Sequence, residues 1–363
     1  MDDWLIDDDR LSIGRKSVLP GEGFFIPDSY EEEQAEAEAA ETLQDASVIV
    51  IADPDADGLA CTALIREAHG EGALLPAGPH ELTEALEWTA EYADPGATVF
   101  ICDLCPDRES DIAPLDSLVD TAERVVWFDH HQWPDDLAAD VDAAGVERTV
   151  GNSDEVCTAD VALSELDYDF DEQWADLAAV TRDHDLWIRD DPRSDDLADL
   201  SYWSEPEEYI EAVRDHGPDL SPEFHEYLEE KRVEKEALIE KAVDRAELRD
   251  VGEWTVGVTY GRCSQNEVAE ALREQGADAA VIVKPAGSAS IRGTDSFERA
   301  HEVAQQVNGG GHPKAAGCKP DIYDDMMDYA HHWTTQGAVA KQAIVDAFRR
   351  LPEEEEEGVD TDR

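Results

Sequence analysis

Three short runs of apolar, β-favouring residues each end in acid: ASVIVIAD (46–53), TVFICD (98–103) and RVVWFDHH (124–131). The runs are continuous rather than alternating, as in strands covered on both faces. Helix-compatible stretches separate them, beginning with residues 58–69, so the strands should be parallel and the sheet doubly wound over about residues 46–190. Ligands of such sheets bind beyond the carboxyl ends of the strands. The acidic and histidine residues fall there.

The rest of the chain arranges itself around that sheet. Residues 1–45 read as an acidic arm, helical in composition over 31–43. The parallel-sheet domain occupies 46–215, and a helical linker 216–250 contains one long charged helix at 222–247. A smaller α/β domain follows at 251–350. Its expected strands are 254–260, 279–284 and 288–292, and its expected helices 264–274, 298–306 and 323–349. The glycine cluster NGGGHPKAAG lies at 308–317, and 351–363 is an acidic tail. No internal repeat is visible.

Composition narrows the class. Hydrophobic residues make up 42%, enough to build cores, so a disordered chain is excluded. Against 28 Lys+Arg stand 89 Asp+Glu, a net charge of −61 spread along the whole length. That distribution fits a folded protein of a salt-loving organism, since molar salt shortens the Debye length to about 3 Å and mutes self-repulsion. No apolar run approaches the roughly 20 residues that span a bilayer. The N-terminus also lacks a basic, apolar leader, so a cytoplasmic location without membrane contact is expected. The six cysteines are scattered and read as reduced thiols; Cys102 and Cys105 form a lone C-x-x-C, too little for a zinc or redox site.

The chemistry-bearing residues cluster at strand ends. The first strand runs into Asp53-Pro54-Asp55-Ala56-Asp57-Gly58, three alternating carboxylates that need a cation nearby. The second ends in Asp103 and the third in Asp129-His130-His131. Carboxylates mixed with imidazole suit Mn²⁺, Fe²⁺ or Zn²⁺. Residues 178–187, AAVTRDHDLW, add Asp183 and Asp185. In the second domain Gly309, Gly310, Gly311 and His312 offer bare backbone and an imidazole to a phosphate, and Arg292 a guanidinium clamp. His331 and His332 read as helix-surface residues. The nine Trp read as core or interface, with base stacking as the other reading of Trp187.

Taken in order, D-x-D-x-D-G, a strand-end Asp, D-H-H, a later Asp and N-G-G-G-H-P-x-A-A-G resemble the DHH phosphoesterase family with its DHH-associated C-terminal domain, over roughly residues 46–320. The resemblance implies an active site in the cleft between two domains. It also implies two divalent ions, of the manganese type, held by Asp55, Asp57, Asp103, His130 and a motif-four Asp. Asp183 is the first choice for that last ligand and Asp185 the second. Many members carry a His where Ile51 stands here, and Asp53 would take its place. Asp103 would bridge the ions, His131 would touch the phosphate and Asp129 would orient His130. The implied reaction is RecJ-like hydrolysis of single-stranded DNA or RNA, with replication or repair proteins as further partners. The same fold also serves enzymes that degrade nano-RNA, pAp or cyclic dinucleotides, and a non-catalytic replisome subunit is the alternative of another class.

Overall fold

The computed structural model describes residues 28–79, 81–323 and 326–351. The chain forms two compact units, one of residues 32–231 and a second that takes up the chain from residue 232. The first is built on five strands: β1 (Val48–Ala52), β2 (Ala73–Pro76), β3 (Thr98–Cys102), β4 (Arg124–Asp129) and β5 (Glu147–Val150). All neighbours are parallel, in the order β2-β1-β3-β4-β5. The chain leaves β1 towards one edge and returns to β3 on β1's other side, so a topological switch point lies between β1 and β3.

The continuous apolar runs are explained by two cores. Val48, Val50, Ala52, Phe100, Cys102, Val126 and Phe128 point to one face, and Ile49, Ile51, Val99, Ile101, Val125 and Trp127 to the other. The second face is covered by α1 (Asp28–Leu43), α3 (Leu82–Tyr92), α4 (Leu115–Thr121) and α5 (Asp135–Ala144). The first is covered by α2 (Ala56–His69), α6 (Thr158–Glu165), α7 (Glu172–Asp185), α8 (Pro192–Trp203) and α9 (Pro206–His216). The doubly wound α/β sheet is therefore as expected.

Helix α10 (Pro222–Asp244) carries the chain into the second unit. There a mixed sheet runs in the order β10-β11-β9-β8-β7-β6. Its strands are β6 (Glu247–Val251), β7 (Trp254–Tyr260), β8 (Ala279–Val283), β9 (Ala289–Gly293), β10 (Gly309–Gly311) and β11 (Ala315–Cys318). Helix α11 (Gln265–Glu274) packs Val268, Ala269 and Leu272 with Ala280 and Ile282 of β8. The opposite face meets α12 (Ala300–Gln305) and α14 (Ala338–Arg349); α13 (Met326–Thr334) precedes α14.

Three expectations change. The long charged helix stops at Asp244, and 247–251 form a strand that turns at Gly252 (φ +66°) to pair with β7. The single helix expected at 323–349 is two, broken where Gln336 and Gly337 adopt positive φ. His332 is buried, not on the surface, and its ring nitrogens meet the Tyr323 hydroxyl (2.9 Å) and the Lys284 carbonyl (2.8 Å). Residues 1–27 of the expected arm and 352–363 of the expected tail lie outside the described residues.

Candidate metal centre

β1 delivers the chain into the acidic turn, and α2 begins at once. Asp55 caps α2, its Oδ1 accepting the N–H groups of Asp57 (2.9 Å) and Gly58 (3.1 Å). A Cβ on Gly58 would lie 2.2 Å from the Asp53 carbonyl oxygen, so this close turn admits only glycine. The buried Asp57 carboxylate accepts the N–H groups of Thr158 (2.7 Å) and Ala159 (2.8 Å), the first turn of α6. A helix N-terminus favours an anion. Even so, burial and then the charge of Asp55 push Asp57 up to about 7.

Asp103 follows β3 with φ +59°, a backbone state that Asp tolerates better than most residues. Its Oδ1 accepts the Thr158 hydroxyl at 2.8 Å, so Thr158 grips carboxylates from two strand ends at once. Burial, then the charges of Asp57 and Asp55, raise Asp103 well above the carboxylate range. From the end of β4, His130 places Nε2 3.7 Å from Asp103 Oδ1 and 3.3 Å from Asp185 Oδ2. Burial and then His131 hold its pKa below the usual imidazole value, favouring the neutral form that ligates metals. Asp185 is pushed up to about 8 by burial and then by the charge of Asp57.

The donors fit a divalent cation. Asp57, His130 and Asp185 bring ligand atoms within 4.8 Å of one another, and so do Asp103, His130 and His131. Asp185 Oδ2 is buried yet makes no hydrogen bond. Buried polar atoms are rarely left so, and carboxylates this costly to ionise are stabilised by a cation among them.

The placement corrects two expectations. Asp183 was put first for the fourth motif, but its carboxylate is occupied by the N–H groups of Asp190 (3.0 Å) and Asp191 (3.1 Å) and the Ser194 hydroxyl (2.7 Å). Two residues along an α-helix are turned by about 200°, so Asp183 and Asp185 cannot face one site together. Asp185 is the one that meets His130. Asp129 was expected to orient His130; instead its carboxylate accepts the His130 main-chain N–H (2.8 Å) and holds the ring of His131 (Nδ1, 2.7 Å), with Trp133 Nε1 at 2.5 Å. Having turned to cap the backbone of His130, it faces the next side chain. Burial alone would lower the His131 pKa, but the Asp129 hydrogen bond and charge bring it up to about 9. Asp129 is held below its usual value by the same partners against the cost of burial. Asp53 and Asp55 stand outside both ligand groups among the described residues. Asp53 is pushed up to about 7 by burial and then by Asp55.

In the second unit, Arg292 and the glycine cluster share three adjacent strands, with Arg292 opposite Ala315 and Gly311 opposite Ala316. The cluster forms a hairpin, with β10 and β11 antiparallel. Gly310 and Gly317 pair across it, and a Cβ on either would meet nothing within 4 Å, so together they form a bare patch of backbone. Arg292 Nε donates to Asn266 Oδ1 (2.8 Å) at the start of α11, and burial lowers its pKa. His312 is exposed at the hairpin tip, its N–H bonded to the Ala315 carbonyl (2.7 Å).

Neither a protein-family model nor a curated protein matches the chain. Solved structures do. The DHH domain of a member of the S1p family of ribosomal proteins matches with TM-score 0.57 at 13% identity, covering 89% of this chain and 90% of that one. Exonuclease RecJ bound to manganese matches with TM-score 0.55 at 18% identity, over 88% and 94% of the two chains. A pGpG-specific phosphodiesterase from Vibrio cholerae matches with TM-score 0.50 at 14% identity, over 82% and 99%. At these identities the likeness is one of fold: this chain is similar in fold to a DHH domain and to RecJ.

Proposed function

We propose that the chain is a divalent-metal-dependent phosphodiesterase of the DHH family, RecJ-like, acting on single-stranded DNA or RNA. The observation that carries this reading is the buried Asp57–Asp103–His130–Asp185 cluster at the switch point of the parallel sheet. Those four residues, with Asp53 and Asp55 beside them, would hold the ions, for which Mn²⁺ is our assignment. Divalent ions bound there supply charge stabilisation to phosphoryl oxygens and lower the pKa of water. The chain's own groups do the rest. Thr158 and the first turn of α6 fix the Asp57 and Asp103 carboxylates before any substrate arrives. His131, its Nδ1 held by Asp129 at 2.7 Å, would touch the substrate phosphate. Arg292, the bare Gly310–Gly317 backbone and His312 would hold a further phosphate of the substrate.

A short substrate is the second reading. It is favoured by the pGpG-specific enzyme, whose length the chain matches over 99%. Product analysis decides between the two, with labelled long single-stranded DNA, long RNA, a dinucleotide and cyclic di-AMP offered with Mn²⁺ in molar KCl. Mononucleotide release from the long strands is the expected result. Cleavage of the dinucleotide alone would select the second reading, and no cleavage of any would leave a non-catalytic subunit.

A further inference from the structure

Helix α7 closes on a residue that its backbone disfavours. The Ile188 N–H bonds to the Asp183 carbonyl and the Trp187 N–H to the His184 carbonyl, both at 2.9 Å. This crossed pair ends a helix around one left-handed residue, ordinarily glycine. Here that residue is Trp187, with φ +56°, and Arg189 is also left-handed at φ +59°. The turn is braced from one point. The Asp183 carbonyl also accepts the Arg189 N–H (3.1 Å), while its carboxylate takes the Asp190 and Asp191 N–H groups and the Ser194 hydroxyl. A left-handed bulky residue persists only where its surroundings over-determine it, and such positions concentrate at functional sites.

The braced turn displays an apolar surface. Trp187 is only part buried, and Ile188 beside it is 49% exposed. The Arg189 guanidinium lies 4.7 Å from the indole centroid and is itself fixed to Asp195 at 3.0 Å. The His184 ring packs against the indole edge to face, with centroids 5.4 Å apart. Two residues back along the chain is Asp185, whose carboxylate reaches His130. Two residues of chain span at most about 7 Å, which is within the reach of one nucleotide.

We propose that Trp187, with Ile188 beside it and Arg189 over its ring, is a stacking platform for the base of the nucleotide whose phosphate lies at the metal centre. This rests on the phosphodiesterase reading above. Every base has a π-face, so the platform would give nucleotide preference without sequence preference.

The test measures binding, with Mn²⁺ present, of a dinucleotide whose bridging oxygen is replaced by methylene, and of its abasic counterpart. Wild-type protein, W187A and W187F are compared, with circular dichroism melts on each. The expected result is tighter binding of the base-bearing ligand by wild type, by roughly tenfold or more, as stacking on one aromatic residue provides. W187A should lose most of that ratio and W187F should keep most of it. An unchanged ratio in W187A, or a ratio in W187F as low as in W187A, would overturn the proposal. If W187A fails to fold, W187F against W187L decides on the same ratio. Cleavage of the natural dinucleotide is followed in parallel. Base-dependent binding without any cleavage would support the platform and sink the phosphodiesterase reading.

Discussion

At the scale of single residues, the motif-four pair separates a ligand from a brace. Asp185→Asn removes a carboxylate that offers a buried, unbonded oxygen. It should lower Mn²⁺ affinity at least roughly tenfold, the loss that even outer-shell changes produce, while the melting temperature of the metal-free protein holds or rises. Asp183→Ala strips an acceptor from two main-chain N–H groups and a hydroxyl. It should cost about 1–3 kcal/mol of stability and keep the metal stoichiometry. Calorimetric titration with Mn²⁺ and thermal melts on both variants check this, and the opposite assignment of effects would restore Asp183 as the ligand. Both aspartates were visible in the sequence, which put Asp183 first and Asp185 second. What chooses between them is the phase at which α7 closes, and that is set by hydrogen bonds to residues 188–194, which no local pattern in RDHDLW encodes.

Among elements, legibility followed burial. β1, β3 and β4 are covered on both faces, so their sequences are nearly all apolar and could be read directly. β2 (Ala73–Pro76) and β5 (Glu147–Val150) are edge strands of four residues, and the ERTV of β5 carries no apolar run, so neither stood out. The role of α6 was equally hidden. Its Thr158 and Ala159 grip Asp57 from about a hundred positions away in the chain, a contact only the tertiary fold creates. The glycine cluster was found by composition, but its strand was not among those expected, since GGG has no strand propensity. Its strand character comes from the neighbour: a Cβ on Gly309 would lie 2.1 Å from the Gly317 carbonyl oxygen, so the two backbones need that bareness to pair. Gly309→Ala should therefore destabilise the hairpin by about 1–3 kcal/mol, as overpacking does. Gly310→Ala meets open space and should leave the fold intact. If the bare patch receives a phosphate, the same methyl should weaken oligonucleotide binding. Hydrogen exchange over residues 309–318 and a binding titration, run on both variants, read the two effects separately.

The whole molecule is governed by its charge of −61. Self-repulsion of that size should unfold the chain in dilute buffer and be screened in molar KCl; circular dichroism that does not change between the two would refute it. The metal centre adds a local version of the same problem, with its own pH signature. In the folded, metal-free chain Asp53 and Asp57 are pushed up to about 7 and Asp185 to about 8. In the unfolded chain an aspartate titrates near 3.9. A carboxyl raised on folding binds its proton more tightly in the native state. Its favourable contribution is thus fully present below about pH 4 and is lost as pH rises through 7 to 8. At constant molar KCl the metal-free protein should therefore melt lower at pH 8 than at pH 5.5, by roughly 5–10 °C, the shift a few kcal/mol produces in a domain of this size. Mn²⁺ should restore most of the loss at pH 8, since a cation among the ionised groups removes the reason for their raised pKa and binds only the folded state. A D57N/D185N double variant carries the same surface charge elsewhere but lacks two of the raised groups. It should show a flatter pH profile and little response to Mn²⁺. The measurement is a set of melts at the two pH values, with and without Mn²⁺, on both proteins. An equal pH slope in the double variant would assign the effect to the acidic surface and remove the buried cluster from the account of stability.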